Sequence, residues 1–250
     1  MCLFFYIVCK IKIMKTNGKL YVVGTPIGNL GDMTYRAVET LKMVDYIACE
    51  DTRVSLKLLQ HFQINHKKMI SYHNFNEKTA TKQIIKLLAN NQNVALISDA
   101  GMPTIADPGF EIIKEVKAQN FDLEIIPGVS ALTSAMALSS FGPEFSFLAF
   151  GKQTKAQLEN QIQNLDQGTY VLFVAPHKLA FLLDLITKYF PDNNQVFLAK
   201  ELTKMHQSFY QGSALMVKEQ IQDHYKGEFT ICIKINKIKT TKVNKYAKQV

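Results

Sequence analysis

Residues 20–53, LYVVGTPIGNLGDMTYRAVETLKMVDYIACEDTR, contain a complete strand–helix–strand unit. The apolar runs 20–24 and 46–50 each end at a glycine or a charged residue, which is typical of a buried β-strand. Between these runs, apolar residues recur at helical spacing over 35–44, and Asp32 is a candidate N-cap for that helix. Two buried strands joined by a helix predict parallel strands of an α/β sheet.

The same alternation continues to residue 126. Further buried strands are predicted at 69–72, 94–98 and 122–126, with helices near 53–62, 77–90 and 108–119. Five strands that alternate with four helices predict an α/β domain over 20–126 with a mainly parallel sheet.

A second α/β domain is predicted over 127–235, because Pro127-Gly128 interrupts the pattern and an apolar helix over 130–140 restarts it. The predicted strands are 145–150, 169–175, 195–200, 207–211 and 227–235, and the predicted helices are 155–165, 178–188 and 213–223. Strands 195–200 and 207–211 follow each other without a helix, so this sheet is predicted to be mixed.

The positive charge is concentrated at the two ends of the chain. Residues 1–19 hold four lysines, residues 234–250 hold six, and neither segment has an acidic residue, which leaves −2 of the net +8 for 20–233. We therefore expect 1–19 to be a poorly ordered extension and 236–250 to be a solvated basic tail. Such a tail attracts phosphate without reading bases.

Composition favours a cytoplasmic protein. The four cysteines lack a Cys-x-x-Cys pair, which indicates unpaired thiols in a reducing compartment. The apolar stretch near the N-terminus is too short for a membrane span of ~20 residues, and its lysines follow it, unlike those of a secretory signal. We interpret the residues before Met14 as an upstream extension. Since His177, His206 and Glu201 do not lie at ligand spacing, no metal is expected.

Loops at the carboxyl ends of the predicted strands carry the candidate binding residues, because ligands of open α/β sheets bind there. The loops 24–32, GTPIGNLGD, and 127–131, PGVSA, contain small residues that permit a close backbone approach to a ligand. The loop 98–109, SDAGMPTIADPG, adds carboxylates that suit a ribose hydroxyl or an ammonium group. For each loop alone, a structural turn is the alternative.

Two further loops carry charged and aromatic side chains. Glu50-Asp51-Thr52-Arg53 follows the second strand and either caps a helix, with Arg53 paired to a carboxylate, or presents acid–base and phosphate-binding groups. The loop 71–77, SYHNFNE, combines aromatic faces with amides and a histidine, which suits stacking on an unpaired base.

These loops together resemble those of the class III, tetrapyrrole-methylase-type, S-adenosylmethionine-dependent methyltransferases, and within them the RsmI family. The resemblance covers about 20–233. It rests on LYVVGTPIGNLGD (20–32), EDTR (50–53), SYH (71–73), SDAGMP (98–103), DPG (107–109), PGVSAL (127–132), APHK (175–178), ELTKMH (201–206) and GEF (227–229).

The resemblance implies a two-domain tetrapyrrole-methylase-like fold with the cofactor in the cleft between the domains, in a homodimer. It implies S-adenosylmethionine as the cofactor and, as the substrate, the ribose 2′-hydroxyl of a P-site cytidine in 16S rRNA within the small ribosomal subunit. Cofactor contacts are implied at Pro26, Asp99, Gly101, Met102, Ser130, Ala131, Ala175 and Leu202.

Methyl transfer to a ribose hydroxyl needs a held donor, an aligned acceptor oxygen and a destination for the proton. The candidate catalytic residues, for accepting the proton or orienting the acceptor, are Glu50, Asp51 and His73. The candidate RNA-binding residues are Arg53, Lys200, Lys204 and His206. Two alternatives stay open: a class III methyltransferase acting on a corrin-type small molecule, and a non-catalytic ribosome-binding protein.

Overall fold

The computed structural model describes residues 17–152, 154–222 and 224–237, whose strands form two five-stranded sheets. The predicted N-terminal extension lies outside the described residues except for 17–19, and the predicted basic tail except for 236–237. In this part of the chain, no helix is both long and apolar enough to cross a membrane.

The first sheet is entirely parallel, as the sequence predicts. Its strands are β1 (Lys19–Val23), β2 (Tyr46–Cys49), β3 (Lys68–Ser71), β4 (Val94–Ile97) and β5 (Asp122–Ile126), in the spatial order β3-β2-β4-β1-β5. Its helices are α1 (Tyr35–Met43), α2 (Thr52–His61), α3 (Glu77–Ala89) and α4 (Phe110–Ala118). The ends of these elements differ from the predicted ends by no more than two residues.

Helices cover both faces of this sheet, which explains its continuous apolar strands. Successive side chains of a strand point to opposite faces. In β2, Ala48 packs in the cluster that contains α3 and α4, whereas Ile47 and Cys49 pack in the cluster that contains α1 and α2. A strand buried on both faces shows no polar alternation, and it can be recognised as an apolar run.

The second sheet is mixed. Its strands are β6 (Ser146–Phe147), β7 (Gly168–Val174), β8 (Asn194–Lys200), β9 (Ser208–Gly212) and β10 (Phe229–Ile235), in the order β6-β7-β10-β8-β9, with only β6 and β7 parallel. Its helices are α5 (Ala131–Ser139), α6 (Lys155–Gln163), α7 (Pro176–Tyr189) and α8 (Ala214–Ile221). Helices α6, α7 and α8 pack on one face of this sheet, and α5 packs on the other face.

Two details of the prediction are wrong. Thr34, not Asp32, caps α1: its Oγ1 accepts a hydrogen bond from the amide of Ala37 at 3.1 Å, while Asp32 ends a short 3₁₀ turn. The strand predicted at 145–150 has only two residues, because the chain turns at Ala149, whose φ is +53°.

Candidate active site

The loops that follow β1, β4 and β5 pack directly against one another. A methyl group on Gly24 would lie 2.7 Å from Cα of Gly128, so neither backbone leaves room for a side chain there. Thr25 and Gly101 exchange two backbone hydrogen bonds, of 2.8 and 3.1 Å. The three loops form one continuous rim at the carboxyl edge of the first sheet, where ligands of α/β sheets bind.

The loop that follows β8 reaches across to this rim. The side chain of Lys204 covers Gly28, since a methyl group on Gly28 would lie 2.5 Å from Cγ of Lys204. Ile27 packs into an apolar cluster with Phe197 and Leu202. Loops from the two sheets therefore meet at the carboxyl edge of the first.

A cavity of about 450 Å³ lies between the two sheets and is bounded by these loops. Its walls are largely apolar and include Phe150, Phe173 and Phe229. Seven of the eight predicted cofactor contacts line it: Asp99, Gly101, Met102, Ser130, Ala131, Ala175 and Leu202. The eighth, Pro26, lines a second cavity of about 310 Å³, which shares Asp99 with the first.

The segment after β2 both starts α2 and contains an ion pair. Oδ1 of Asp51 caps the helix by accepting a hydrogen bond from the amide of Arg53 at 2.8 Å. Both carboxylate oxygens also bind the Arg53 guanidinium, at 3.1 and 2.7 Å. These hydrogen bonds lower the pKa of Asp51 to about 2, so Asp51 is a weak base. The Arg53 side chain is 87% exposed and can meet a phosphate.

Neither Glu50 nor His73 lines the cavity, but Glu50 interacts through its charge with two carboxyl groups that do, Asp99 and Asp107. Burial and the charges of Asp99 and Asp51 raise the pKa of Glu50, while His73 acts in the opposite direction. Nδ1 of His73 is buried and has no hydrogen-bond partner among the described residues. Asn76 fixes this loop by accepting a hydrogen bond from the His73 amide at 2.9 Å. The charge of His73 therefore acts on the Glu50 carboxyl group, although no hydrogen bond joins the two side chains among the described residues.

Asp107 also lines the cavity, although the sequence predicts no catalytic role for this residue. Burial, followed by the charges of Glu50 and Asp99, raises its pKa to about 6. Its signal in the sequence is the segment 106–109, ADPG, whose spacing does not distinguish a cavity carboxylate from a turn residue. Within the described residues, no three His, Cys, Asp or Glu side chains are placed to hold a metal ion.

The structure exposes two of the four predicted RNA-binding residues, Arg53 and His206. The other two, Lys200 and Lys204, are half-buried, and their ammonium groups contact other groups of the protein. Nζ of Lys204 lies 3.3 Å from a carboxylate oxygen of Glu201 and 3.0 Å from one of Glu228. Nζ of Lys200 donates a hydrogen bond to the carbonyl of His224 at 2.9 Å. Lys204 therefore holds the loop after β8 in place.

The fold and this cavity define a methyltransferase of the tetrapyrrole methylase class. The sequence profile of the family described as Tetrapyrrole (Corrin/Porphyrin) Methylases matches residues 19–215. The architecture is also that of a crystal structure of diphthine synthase, with a TM-score of 0.65 over 88% of this chain and 90% of that one. With 13% sequence identity, this likeness concerns the fold alone.

Two curated proteins are much more similar in sequence. The chain is 50% identical over 214 residues to Ribosomal RNA small subunit methyltransferase I of Mycoplasmopsis pulmonis, which is 85% of this chain and 96% of that protein. It is 43% identical over 229 residues to the protein of the same name from Mesomycoplasma conjunctivae, covering 91% and 96% respectively. The chain belongs to the ribosomal RNA small subunit methyltransferase I family, within the tetrapyrrole methylases.

The methyl donor of this family is S-adenosylmethionine, and the cavity fits it. Its volume lies within the range of about 300–1,000 Å³ that is usual for small-molecule sites. Its aromatic and aliphatic walls suit adenine, and the Asp99 carboxylate suits ribose hydroxyls or an ammonium group. A methyl group on Gly101 would lie 3.2 Å from Ile27, so the bare backbone forms the wall at that point.

Proposed function

We propose that this protein methylates the ribose 2′-hydroxyl of a P-site cytidine in 16S rRNA, within the small ribosomal subunit. The observation that carries the proposal is the cavity between the two sheets, since it gathers seven of the eight residues assigned to the methyl donor. The name of the relatives supports small-subunit rRNA as the substrate. These relatives give no support to a corrin-type substrate or to a non-catalytic ribosome-binding role.

The donor, when bound, supplies a methyl group on a positively charged sulfonium. In our proposal, Asp99 and the backbone of 101–102 and 130–131 hold it, and Ala175 and Leu202 close the cavity from the second sheet. The apolar walls exclude water, which strengthens the electrostatic interactions inside. Holding two reactants in line is worth about 7–11 kcal/mol of the barrier, and this chain is built chiefly for that positioning.

Glu50 and His73 are proposed to orient the acceptor ribose at the edge of the cavity. Their pairing rests on the effect of His73 on the Glu50 pKa and on the unpartnered Nδ1 of His73. Asp51 acts through other residues, because its side chain caps α2 and binds Arg53. It is therefore a positioning residue.

Arg53 and His206 are proposed to bind RNA phosphates. Lys200 keeps two further N–H donors for the same purpose, whereas Lys204 is assigned to closing the cleft. Phe75 is 99% exposed and lies edge-to-face with His73, 6.0 Å between ring centroids. An exposed ring at this edge of the sheet suits stacking on an unpaired base.

We further propose a homodimer in the cytoplasm. Large apolar side chains, including Tyr35, Phe110 and Met205, are exposed, and a second copy of the chain would cover such surface. Light scattering after size-exclusion chromatography should give twice the chain mass of 28.4 kDa. A mass equal to that of a single chain would contradict the dimer.

The activity is tested with small subunits that lack the modification and with donor carrying a labelled methyl group. We expect one labelled cytidine whose 3′ phosphodiester resists alkali, since a 2′-O-methyl group blocks that cleavage. Asp99→Ala should lower labelling at limiting donor concentration, and the exposed Asp192→Asn should behave as the unchanged protein. The proposal would be contradicted by label on an rRNA base, by label on a corrin offered in parallel, or by the absence of label from both the rRNA and the corrin.

A further inference from the structure

The proton of the attacking hydroxyl needs an acceptor within hydrogen-bond reach of the cavity, about 2.6–3.2 Å from the oxygen. Three carboxyl groups line that cavity: Asp99, Asp107 and Glu228. Asp99 already accepts a hydrogen bond from the Asp51 amide at 3.1 Å and is assigned to the donor. The Glu228 side chain is 71% exposed and is paired with Lys204. Asp107 is the carboxyl group that these roles leave free.

The loop that carries Asp107 is fixed in an unusual conformation. Thr104 and Ala106 have φ values of +73° and +70°, a region that costs residues with a side chain about 1–3 kcal/mol. Gly109, with φ of +136°, has no space for a methyl group, which would lie 2.6 Å from Thr104. Oε1 of Glu77 accepts a hydrogen bond from the Gly109 amide at 2.9 Å. A carboxylate on such a loop is held in one position before substrate arrives.

The charges around Asp107 are mostly negative. The charges of Glu50 and Asp99 raise the pKa of Asp107, and the Ser98 hydroxyl acts in the opposite direction. Further titratable side chains around this loop are Glu77 of α3, which binds the Gly109 amide, Tyr72, which binds Glu77, and Glu228, which lines the same cavity. His73 acts through its charge on Glu50. Burial and this negative surrounding put the pKa of Asp107 at about 6, so its carboxylate is ionised at pH 7.5 yet more basic than an ordinary aspartate.

We propose that Asp107 is the catalytic residue that accepts the proton of the ribose hydroxyl. This inference rests on the proposed function. The hydroxyl oxygen forms a bond to the methyl carbon, the carbon–sulfur bond breaks with its electron pair retained by sulfur, and the O–H proton passes to an Oδ of Asp107. The proton then leaves to solvent.

The first test compares Asp107→Asn with the surface control Asp192→Asn. Single-turnover methylation of small subunits is measured from pH 5 to 8, and donor affinity is measured by calorimetry. We expect Asp107→Asn to lower the rate at pH 7.5 by about 100-fold or more, in line with the usual effect of a positioned base. Its donor dissociation constant should stay within threefold, and the rise in rate near pH 6 should vanish. Asp192→Asn should keep the donor dissociation constant and the rise in rate near pH 6 of the unchanged protein.

The second test measures the protein alone, so it does not depend on activity. In protein labelled with ¹³C at the aspartate carboxyls, one resonance should titrate near pH 6. That resonance should be missing from the spectrum of Asp107→Asn. A spectrum in which every aspartate titrates below about pH 5 would overturn the inference.

The proposal also fails if Asp107→Asn keeps more than a tenth of the rate, or if it loses donor binding in parallel with the rate. In the latter case Asp107 would be a donor contact. If the unchanged protein binds no donor or labels no rRNA, the proposed function itself is wrong. The two failures are thus read from different samples, the variant in one case and the unchanged protein in the other.

Discussion

The backbone amide of Asp51 donates a hydrogen bond to Oδ1 of Asp99, 3.1 Å away. This bond joins the end of β2 to the end of β4, two strands that are neighbours in the first sheet. The carboxylate assigned to the methyl donor is therefore oriented by the same residue that starts α2 and binds Arg53. One short segment thus contacts both the carboxylate assigned to the donor and the side chain proposed to bind RNA.

The Asp51–Asp99 bond can be separated from the charge of Asp99 by two substitutions. Asp99→Asn keeps an oxygen for the Asp51 amide but loses the charge, whereas Asp99→Ala loses both. We expect both variants to weaken donor binding by about tenfold or more, as for a lost charged hydrogen bond of about 1.5–3 kcal/mol. Only Asp99→Ala should also lose about 1 kcal/mol of folding free energy. Calorimetry with the donor and urea unfolding measure the two effects, and equal stability losses would contradict the orienting role of this bond.

Arg53→Ala should weaken binding to small subunits and leave donor affinity unchanged. The guanidinium is almost fully exposed, so its pair with Asp51 contributes little to folding, and the melting temperature should stay within about a degree. Binding measured at several salt concentrations should show a shallower salt dependence, since one phosphate contact is lost. Lys82→Ala, at an exposed position of α3, is a useful comparison for charge alone. Parallel loss of donor and RNA binding would instead mark Arg53 as a structural ion-pair partner.

Two glycines with positive φ provide a matched pair for testing how the cleft is closed. Gly28, with φ of +151°, lies under the Lys204 side chain, whereas Gly142, with φ of +102°, has nothing within 4 Å of an added methyl group. Both Gly→Ala variants carry backbone strain of about 1–3 kcal/mol. Only Gly28→Ala must also displace Lys204, so only it should weaken donor binding. Equal donor affinity in the two variants, measured by calorimetry, would show that this contact does not close the cleft.

The order of the elements is readable from the sequence because strands buried on both faces are continuous apolar runs, as in 94–97. The spatial order β3-β2-β4-β1-β5 is not readable, since it depends on pairing between strands far apart in the chain. The boundary between the predicted domains at 126–127 stays a prediction, supported by the packing of α5 on the second sheet.

The candidate site divides in the same way. Asp99 and Ser130 could be predicted because they follow strands whose carboxyl ends meet at one edge. The sequence predicts Lys204 as an RNA-binding residue, but it does not show that Lys204 pairs with the carboxylates of Glu201 and Glu228 in the folded protein. The role of Asp107 cannot be predicted from the sequence, because its raised pKa arises from burial and from the charge of Glu50, and both arise only on folding.

Asp107 should also make the folded protein less stable as pH rises through the window set by its pKa. In the unfolded chain an aspartate titrates near 3.8, and in the folded protein Asp107 titrates near 6, so between these values the folded state holds the extra proton. Stability therefore falls with rising pH across this window and stays lowered above it. Asp107→Asn should remove that loss and raise the free energy of unfolding at pH 7.5 by about 1–3 kcal/mol. Urea unfolding at pH 4, 5, 6 and 7.5 measures the difference, with Asp192→Asn as the control. Curves for Asp107→Asn and the unchanged protein that run parallel over the whole range would show that Asp107 is an ordinary surface carboxylate.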